Sequence, residues 1–120
     1  MKGKHLSGFR DKPGKLLDRA KRQAASIDPL MRRQAAETAH LAVFSAVART
    51  VRRELRGTRD YQAQINRIAK EAPAIKKMAK TVYEDLHVKC FYRGEEKACT
   101  RKAVETGVRL ARALVDSIEG

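Results

Sequence analysis

From residue 15 onward, apolar residues recur three and four positions apart, at Leu16, Leu17, Ala20, Ala24 and Ile27. That spacing marks one face of an α-helix. Asp28-Pro29 follows, a carboxylate able to cap a helix and a proline suited to its first position. A second helix is therefore expected from about 29 to 56, stopping at Gly57. Its centre, residues 39–48, is apolar nearly all round except for His40 and Ser45, which places it in the middle of the fold.

A third stretch opens near Thr58 and carries Tyr61, Ile65, Ile68, Ala72, Ile75, Ala79, Val82 and Leu86, with spacings of 4, 3, 4, 3, 4, 3 and 4. This is an uninterrupted heptad stripe, which also permits self-association into a homo-oligomer. Pro73 falls inside it and removes a backbone donor. The apolar phase survives the proline, so a kinked helix or two nearly collinear helices are expected rather than a wide turn. Cys90 lies one helical step beyond Leu86, which carries the helix to about Tyr92, with Gly94 ending it.

Glu95 and Glu96 suit the first turn of a last helix, where the helix dipole favours anions. Ala103, Val104, Gly107, Val108, Ala111, Val115 and Ile118 form its buried face, and Gly107 implies a close helix contact. A rival local pattern is a hairpin of 87–92 and 97–100 turning at Gly94-Glu95, which would set Cys90 opposite Cys99. The helical phase of Cys90 and the helix-forming residues 95–98 favour the helix. The pattern as a whole predicts an all-α fold, a compact bundle of four to five helices. Residues 15–120 form a single domain and residues 1–14 a flexible basic arm.

Charge changes the picture. The 120 residues hold 27 Lys plus Arg against 14 Asp plus Glu, a formal net charge of +13. Residues 1–33 alone carry ten basic against three acidic side chains. Such an excess repels itself, and the repulsion falls when a polyanion binds and releases its counterions. Nucleic acid is the first candidate, an anionic membrane surface the second and the acidic face of a protein the third. No apolar run approaches the ~18 residues of a membrane span, and the opening residues lack the hydrophobic stretch of a signal peptide. The chain is therefore expected to be cytoplasmic, with no membrane partner. Its two cysteines, Cys90 and Cys99, are expected as reduced thiols.

Arg49, Arg52, Arg53 and Arg56 stand at i, i+3, i+4 and i+7 of the expected second helix, opposite Phe44, Val47, Val51 and Leu55. Like charges so spaced repel by a few tenths of a kcal/mol per pair, and Glu54 points away from them. Arginine at all four places fits bidentate phosphate binding. Lys15, Arg19, Lys21 and Arg22 on the first helix, and Lys70, Lys77 and Lys80 off the heptad stripe, could extend the basic surface. Phe9, Phe91 and Tyr92 are candidates for stacking on unpaired bases.

Other chemistry finds less support. His87, Cys90 and Cys99 lack a fourth ligand and the paired spacing of zinc modules, so no metal or other cofactor is expected. No serine or cysteine has a recognisable partner motif, Glu84 and Asp85 face different directions on a helix, and no glycine-rich phosphate loop is present. The chain does not read as an enzyme.

Residues 73–97 resemble the C-terminal region of lambdoid phage late-gene antitermination proteins, at Pro73, Tyr83, Leu86, Val88 and Cys90 and then at Glu95 and Glu96. The likeness spans about a fifth of the chain, needs a small insertion around Arg93-Gly94 and has no counterpart of that family's cysteine-rich zinc element. It implies at most a DNA-associated regulator.

The expectation is a non-enzymatic protein that binds DNA or RNA through phosphates, as a regulator or as a small subunit of a nucleoprotein machine. The alternative is a helical adaptor or inhibitor that binds an acidic surface of a nucleic-acid-processing protein.

Overall fold

A computed structural model describes residues 12–120. It contains the helices α1 (Pro13–Ala24), α2 (Pro29–Val51), α3 (Thr58–Ile68), α4 (Pro73–Val82) and α5 (Arg101–Glu119). A π-helical segment, Tyr83–Tyr92, continues α4, and a short 3₁₀ turn, Glu96–Ala98, leads into α5. The described residues include no strand, so the fold is an all-α bundle as the periodicity predicts. The helix starts earlier than expected: Pro13 and Gly14, assigned to the arm, form the first turn of α1. The rest of that arm, residues 1–11, lies outside the described residues.

The bundle is organised around α2, which packs against α1, α3, α5 and the π segment. Ala35, Ala36, Ala39, Ala42, Ala46 and Ala48 are fully buried along it, and such short side chains let neighbouring backbones come close. Asp28 accepts from the Leu30 amide at 2.9 Å and caps α2, with Pro29 in its first turn, as the sequence indicates.

Side-chain contacts fix the directions of the elements. Arg112 of α5 meets Asp18 of α1 at 3.0 Å. Arg32 at the start of α2 donates to the Cys99 carbonyl, while Arg49 near its end approaches Glu119, so α5 runs parallel to α2. The π segment runs antiparallel to it, with Phe91 at Arg33 and His87 at Glu37.

Pro73 stands in the first turn of α4, and the chain breaks at residues 69–72 rather than kinking within one helix. On both sides of the break the heptad positions Tyr61, Ile65, Ile75, Ala79, Val82 and Leu86 are buried inside this chain. The stripe that permitted self-association is thus spent on the internal core.

Beyond Val82 the buried positions step by four, through Leu86 to Cys90, and a half-buried row follows at Tyr83, His87 and Phe91. The wider π winding keeps both rows facing α2. Long π runs are rare and need outside support. Arg33 supplies it, donating to the Phe91 and Tyr92 carbonyls at 2.7 and 3.0 Å, a cation on the negative end of the helix. Gly94, at φ +64°, closes the segment, and a Cβ there would meet the Arg33 guanidinium at 2.9 Å.

Three expectations are corrected here. Ile27 lies beyond the end of α1 and is 92% exposed, not on its buried face. Glu95 and Glu96 precede α5, whose N-cap is Thr100, accepting from the Ala103 amide at 3.1 Å. Cys90 and Cys99 are joined by a disulfide, because the 3₁₀ turn returns Cys99 to the inner face of the π segment with the Cα atoms 5.0 Å apart. Closing a loop of this length is worth roughly 3 kcal/mol on a chain-entropy argument.

The close contact inferred at Gly107 is present: a Cβ on this residue would overlap Leu86 Cδ2, and Leu86 is fully buried. Gly107→Ala is expected to destabilise the fold by about 1–3 kcal/mol through overpacking, despite the better helix propensity of alanine. Urea unfolding measures this, and an unchanged midpoint would show that α5 and the π segment do not pack so closely.

Candidate nucleic-acid interface

The arginines read as a helical stripe are divided by the structure. α2 ends at Val51, not Arg56. Arg52 turns left-handed at φ 59°, with its amide on the Ala48 and Arg49 carbonyls, and the Arg53 amide also returns to Ala48. This is the hydrogen-bonding pattern of a helix stop normally built on glycine. The helix ends before Gly57 because Asp60 takes up the Arg53 side chain and the Arg56 amide and so holds residues 52–57 as a loop. Only Arg49 of the four stays on the helix.

Arg53 is consumed internally. Its guanidinium forms a two-pronged pair with Asp60 at 2.7 and 3.0 Å, and Asp60 also accepts from the Arg56 amide at 2.8 Å and from Gln64. Those donors, Arg53 first and the Arg56 amide second, hold the Asp60 carboxyl well below the usual carboxylate range. The pair ties the loop of residues 52–57 to the start of α3. Leu55, buried in the core, pins it from below.

Arg52, Arg56 and Arg59 are exposed, and none makes an ion pair with an acidic side chain among the described residues. Arg49 approaches Glu119 only at 3.9 Å, and both are well exposed, so this contact is worth little. The loop therefore presents Arg52 and Arg56 outward, flanked by Arg49 on α2 and Arg59 on α3; its own carboxylate, Glu54, is also exposed and forms no ion pair with any of them among the described residues. Arg59 was missed in the sequence because the pattern ended at Gly57. Arg52 pays about 1 kcal/mol of left-handed strain that glycine would avoid.

The remaining candidates lie on other elements. Lys15, Arg19 and Arg22 form an exposed row on α1, facing away from the buried Leu16, Leu17 and Ala20. Lys70 is exposed in the turn before α4 and Lys77 is exposed on it. Phe91 is half-buried against the core, Tyr92 is exposed, and Phe9 falls outside the described residues.

Behind the loop lies a cluster the sequence showed only as scattered aromatics. His40 is 5% exposed and touches Phe44, Tyr61, Tyr83 and His87, its ring stacked on His87 with centroids 4.4 Å apart. His87 Nδ1 lies 2.6 Å from Glu37. Burial raises the Glu37 carboxyl against the opposing pull of His87. The signal available in the sequence was the run Tyr83, His87, Phe91 at four-residue steps, facing His40 and Phe44 on α2. No group of three or more His, Cys, Asp or Glu placed to hold a metal ion occurs among the described residues, and Cys90 and Cys99 are bonded to each other.

Comparison of the chain with models of known protein families, with curated proteins and with solved structures gives no match. The resemblance over residues 73–97 is accordingly taken no further.

Burial, and then the charge of His87, push His40 down to about 3. In the unfolded chain it protonates near 6.5, so on acidification the unfolded state takes up this proton first and stability is lost below about pH 6.5. By pH 4.5 the expected loss from His40 is roughly 3 kcal/mol. Loosening of the Asp60 pair adds to it below the usual carboxylate range, and Glu37, with its raised value, acts in the opposite direction. Urea midpoints of the natural chain and of His40→Phe, followed from about pH 7 to about pH 4.5, isolate the histidine. The natural chain should fall more steeply, and parallel profiles would place a protonated His40 inside the fold.

Proposed function

We propose that this chain is a non-enzymatic nucleic-acid-binding protein that grips the phosphate backbone, as a regulator or as a small subunit of a nucleoprotein complex. The observation that carries the reading is the loop after α2. It is held by the Arg53–Asp60 pair, and it displays Arg52, Arg56 and, at the start of α3, Arg59 to solvent, none of them in an ion pair with a carboxylate among the described residues, the exposed Glu54 of the loop included. An ordered loop with uncompensated guanidinium groups suits a row of phosphates, which each guanidinium can meet with two parallel hydrogen bonds. The net charge of +13 supplies long-range attraction, and Arg49, Lys70, Lys77 and the α1 row would add contacts dependent on ionic strength. Contacts of this kind position a strand without reading its sequence.

No described helix is long and apolar enough to cross a membrane. We place the working protein in the cytoplasm, where nucleic acid is met. There the two thiols would be held reduced, so the Cys90–Cys99 bond would mark oxidised chain.

One observation favours the adaptor reading. Ile27, Leu30, Met31 and Tyr92 are exposed around the start of α2, where Arg32 and Arg33 spend their donors on the carbonyls of Ser26, Ile27, Cys99, Phe91 and Tyr92 rather than on carboxylates. Apolar residues backed by uncompensated cations fit an acidic protein surface that also carries apolar groups. This end of α2 lies about 35 Å from the arginine loop, so both readings can hold at once. Retention of a stoichiometric acidic partner after nuclease treatment, lost on Leu30→Asp, would put the adaptor role first.

The arginine loop is tested by a salt titration. Binding of short DNA and RNA oligonucleotides should weaken steeply with salt. The triple variant Arg52→Gly, Arg56→Ala, Arg59→Ala should flatten that slope by up to about three units on duplex DNA. Arg52→Gly alone should bind more weakly yet unfold later, gaining about 0.5–1 kcal/mol because glycine relieves the left-handed backbone. A triple variant that binds like the natural chain would remove the loop from the interface.

A further inference from the structure

We infer that the cleft between α3 and α4 receives an unpaired base of a single-stranded nucleic acid whose phosphates lie on the arginine loop, an inference that rests on the function proposed above. The cleft measures about 300 Å³, at the lower end of small-molecule sites and suited to one planar heterocycle.

Its walls carry the groups a base needs. The half-buried Tyr83 gives it aromatic surface, the nearly buried Tyr61 lies in its wall, and Ile65 and Ala79 line it with apolar carbon. Tyr61 is 2% exposed, and its buried hydroxyl finds no hydrogen-bond partner within the protein. Gln62 and Asn66 stand at the opening, and each amide offers a donor and an acceptor, the pairing that base edges present. Lys76 and Lys80, one turn apart on the α4 side, make no ion pair among the described residues and are placed for the phosphate that follows the base, with the exposed carboxylate Glu84 lining the same side. Of the lysines that the sequence suggests on α4, Lys80 lines the cleft and Lys77 does not; Lys76 stands there instead.

Helical phase joins the cleft to the loop. Arg59, Gln62 and Asn66 stand at i, i+3 and i+7 of α3, on one face. A strand held by Arg56 and Arg59 therefore passes the amides and reaches the cleft without crossing the Arg53–Asp60 pair. The cleft of about 640 Å³ along α5 offers no such surface: no aromatic residue lines it, and its Lys89 is paired with Asp85. A paired, stacked base cannot enter the α3–α4 cleft, so occupancy selects single strands, as on other aromatic platforms.

The test uses the full chain and a short fluorescent DNA oligonucleotide, single-stranded or annealed to its complement, with adenosine monophosphate as a competitor. The natural chain should bind the single strand roughly tenfold more tightly than the duplex, the effect of about one stacked base. Gln62→Ala with Asn66→Ala, both exposed and safe for folding, should cut that preference severalfold and leave duplex affinity unchanged. Tyr83→Phe should keep the preference, since it retains the ring, and 2-aminopurine in the strand should be quenched on binding. The triple arginine variant should weaken both strand forms together. Equal affinity for single strand and duplex, or a preference untouched by the amide changes, overturns the base-binding cleft while leaving the loop reading intact. Displacement of the strand by the mononucleotide at comparable concentration shows a free-nucleotide site and also overturns it. Binding of neither strand form overturns the proposed function, and this inference with it.

Discussion

A helix lined by Ala35, Ala36, Ala39, Ala42, Val43, Ala46, Val47 and Ala48 can be approached closely from more than one side, and α2 is packed by α1, α3, α5 and the π segment. Dispersion contacts fall off within an ångström or so, so small residues gain most when their neighbours also come near. Gly107 against Leu86 is the same device one layer out. Such a helix has little lateral surface to offer a ligand. Its two ends reach solvent: Ile27, Leu30 and Met31 are exposed around one, and Arg52 and Arg56 just beyond the other.

The arginines at these ends show why residue type alone does not assign a role. Arg32 and Arg33 act as cross-links between chain segments, their guanidinium groups capping carbonyls that the ends of the π segment and the 3₁₀ turn leave open. Arg53 is an internal strut. Arg52, Arg56 and Arg59 do none of this work, and Arg52 even occupies a backbone position better suited to glycine.

Helix number, the cap at Asp28, the burial of the heptad positions and the glycine contact were legible from period and punctuation, because each depends on residues close in sequence. The arginine stripe was misread for a physical reason. A helical wheel assumes that the helix continues, and tertiary bonds ended it: Asp60, seven residues beyond Arg53, draws the chain into a loop. The disulfide was equally hidden, since the return of Cys99 to Cys90 depends on a 3₁₀ turn at 96–98 that local propensity reads as helix. The step of four from Leu86 to Cys90 reads as ordinary helix, so the π winding that turns the row of Tyr83, His87 and Phe91 toward α2 was not legible beforehand.

Tyr61 and Tyr83 belong to two structures at once. On their inner side they pack around His40; on the outer side the half-buried Tyr83 gives the α3–α4 cleft its aromatic wall, with the nearly buried Tyr61 beside it. The wall is therefore no mobile surface ring but the back of a packed cluster, set by α2 through His40 and by the π segment through His87. A stacking platform fixed in this way loses little side-chain freedom when a base arrives, and that saving favours affinity as much as the contact itself does. It also ties the cleft to the charge state of the core. A proton on His40 would have to be carried among aromatic rings beside His87, with Glu37 bonded to His87 rather than to His40, and relieving that burial means loosening the cluster that holds the cleft wall in place.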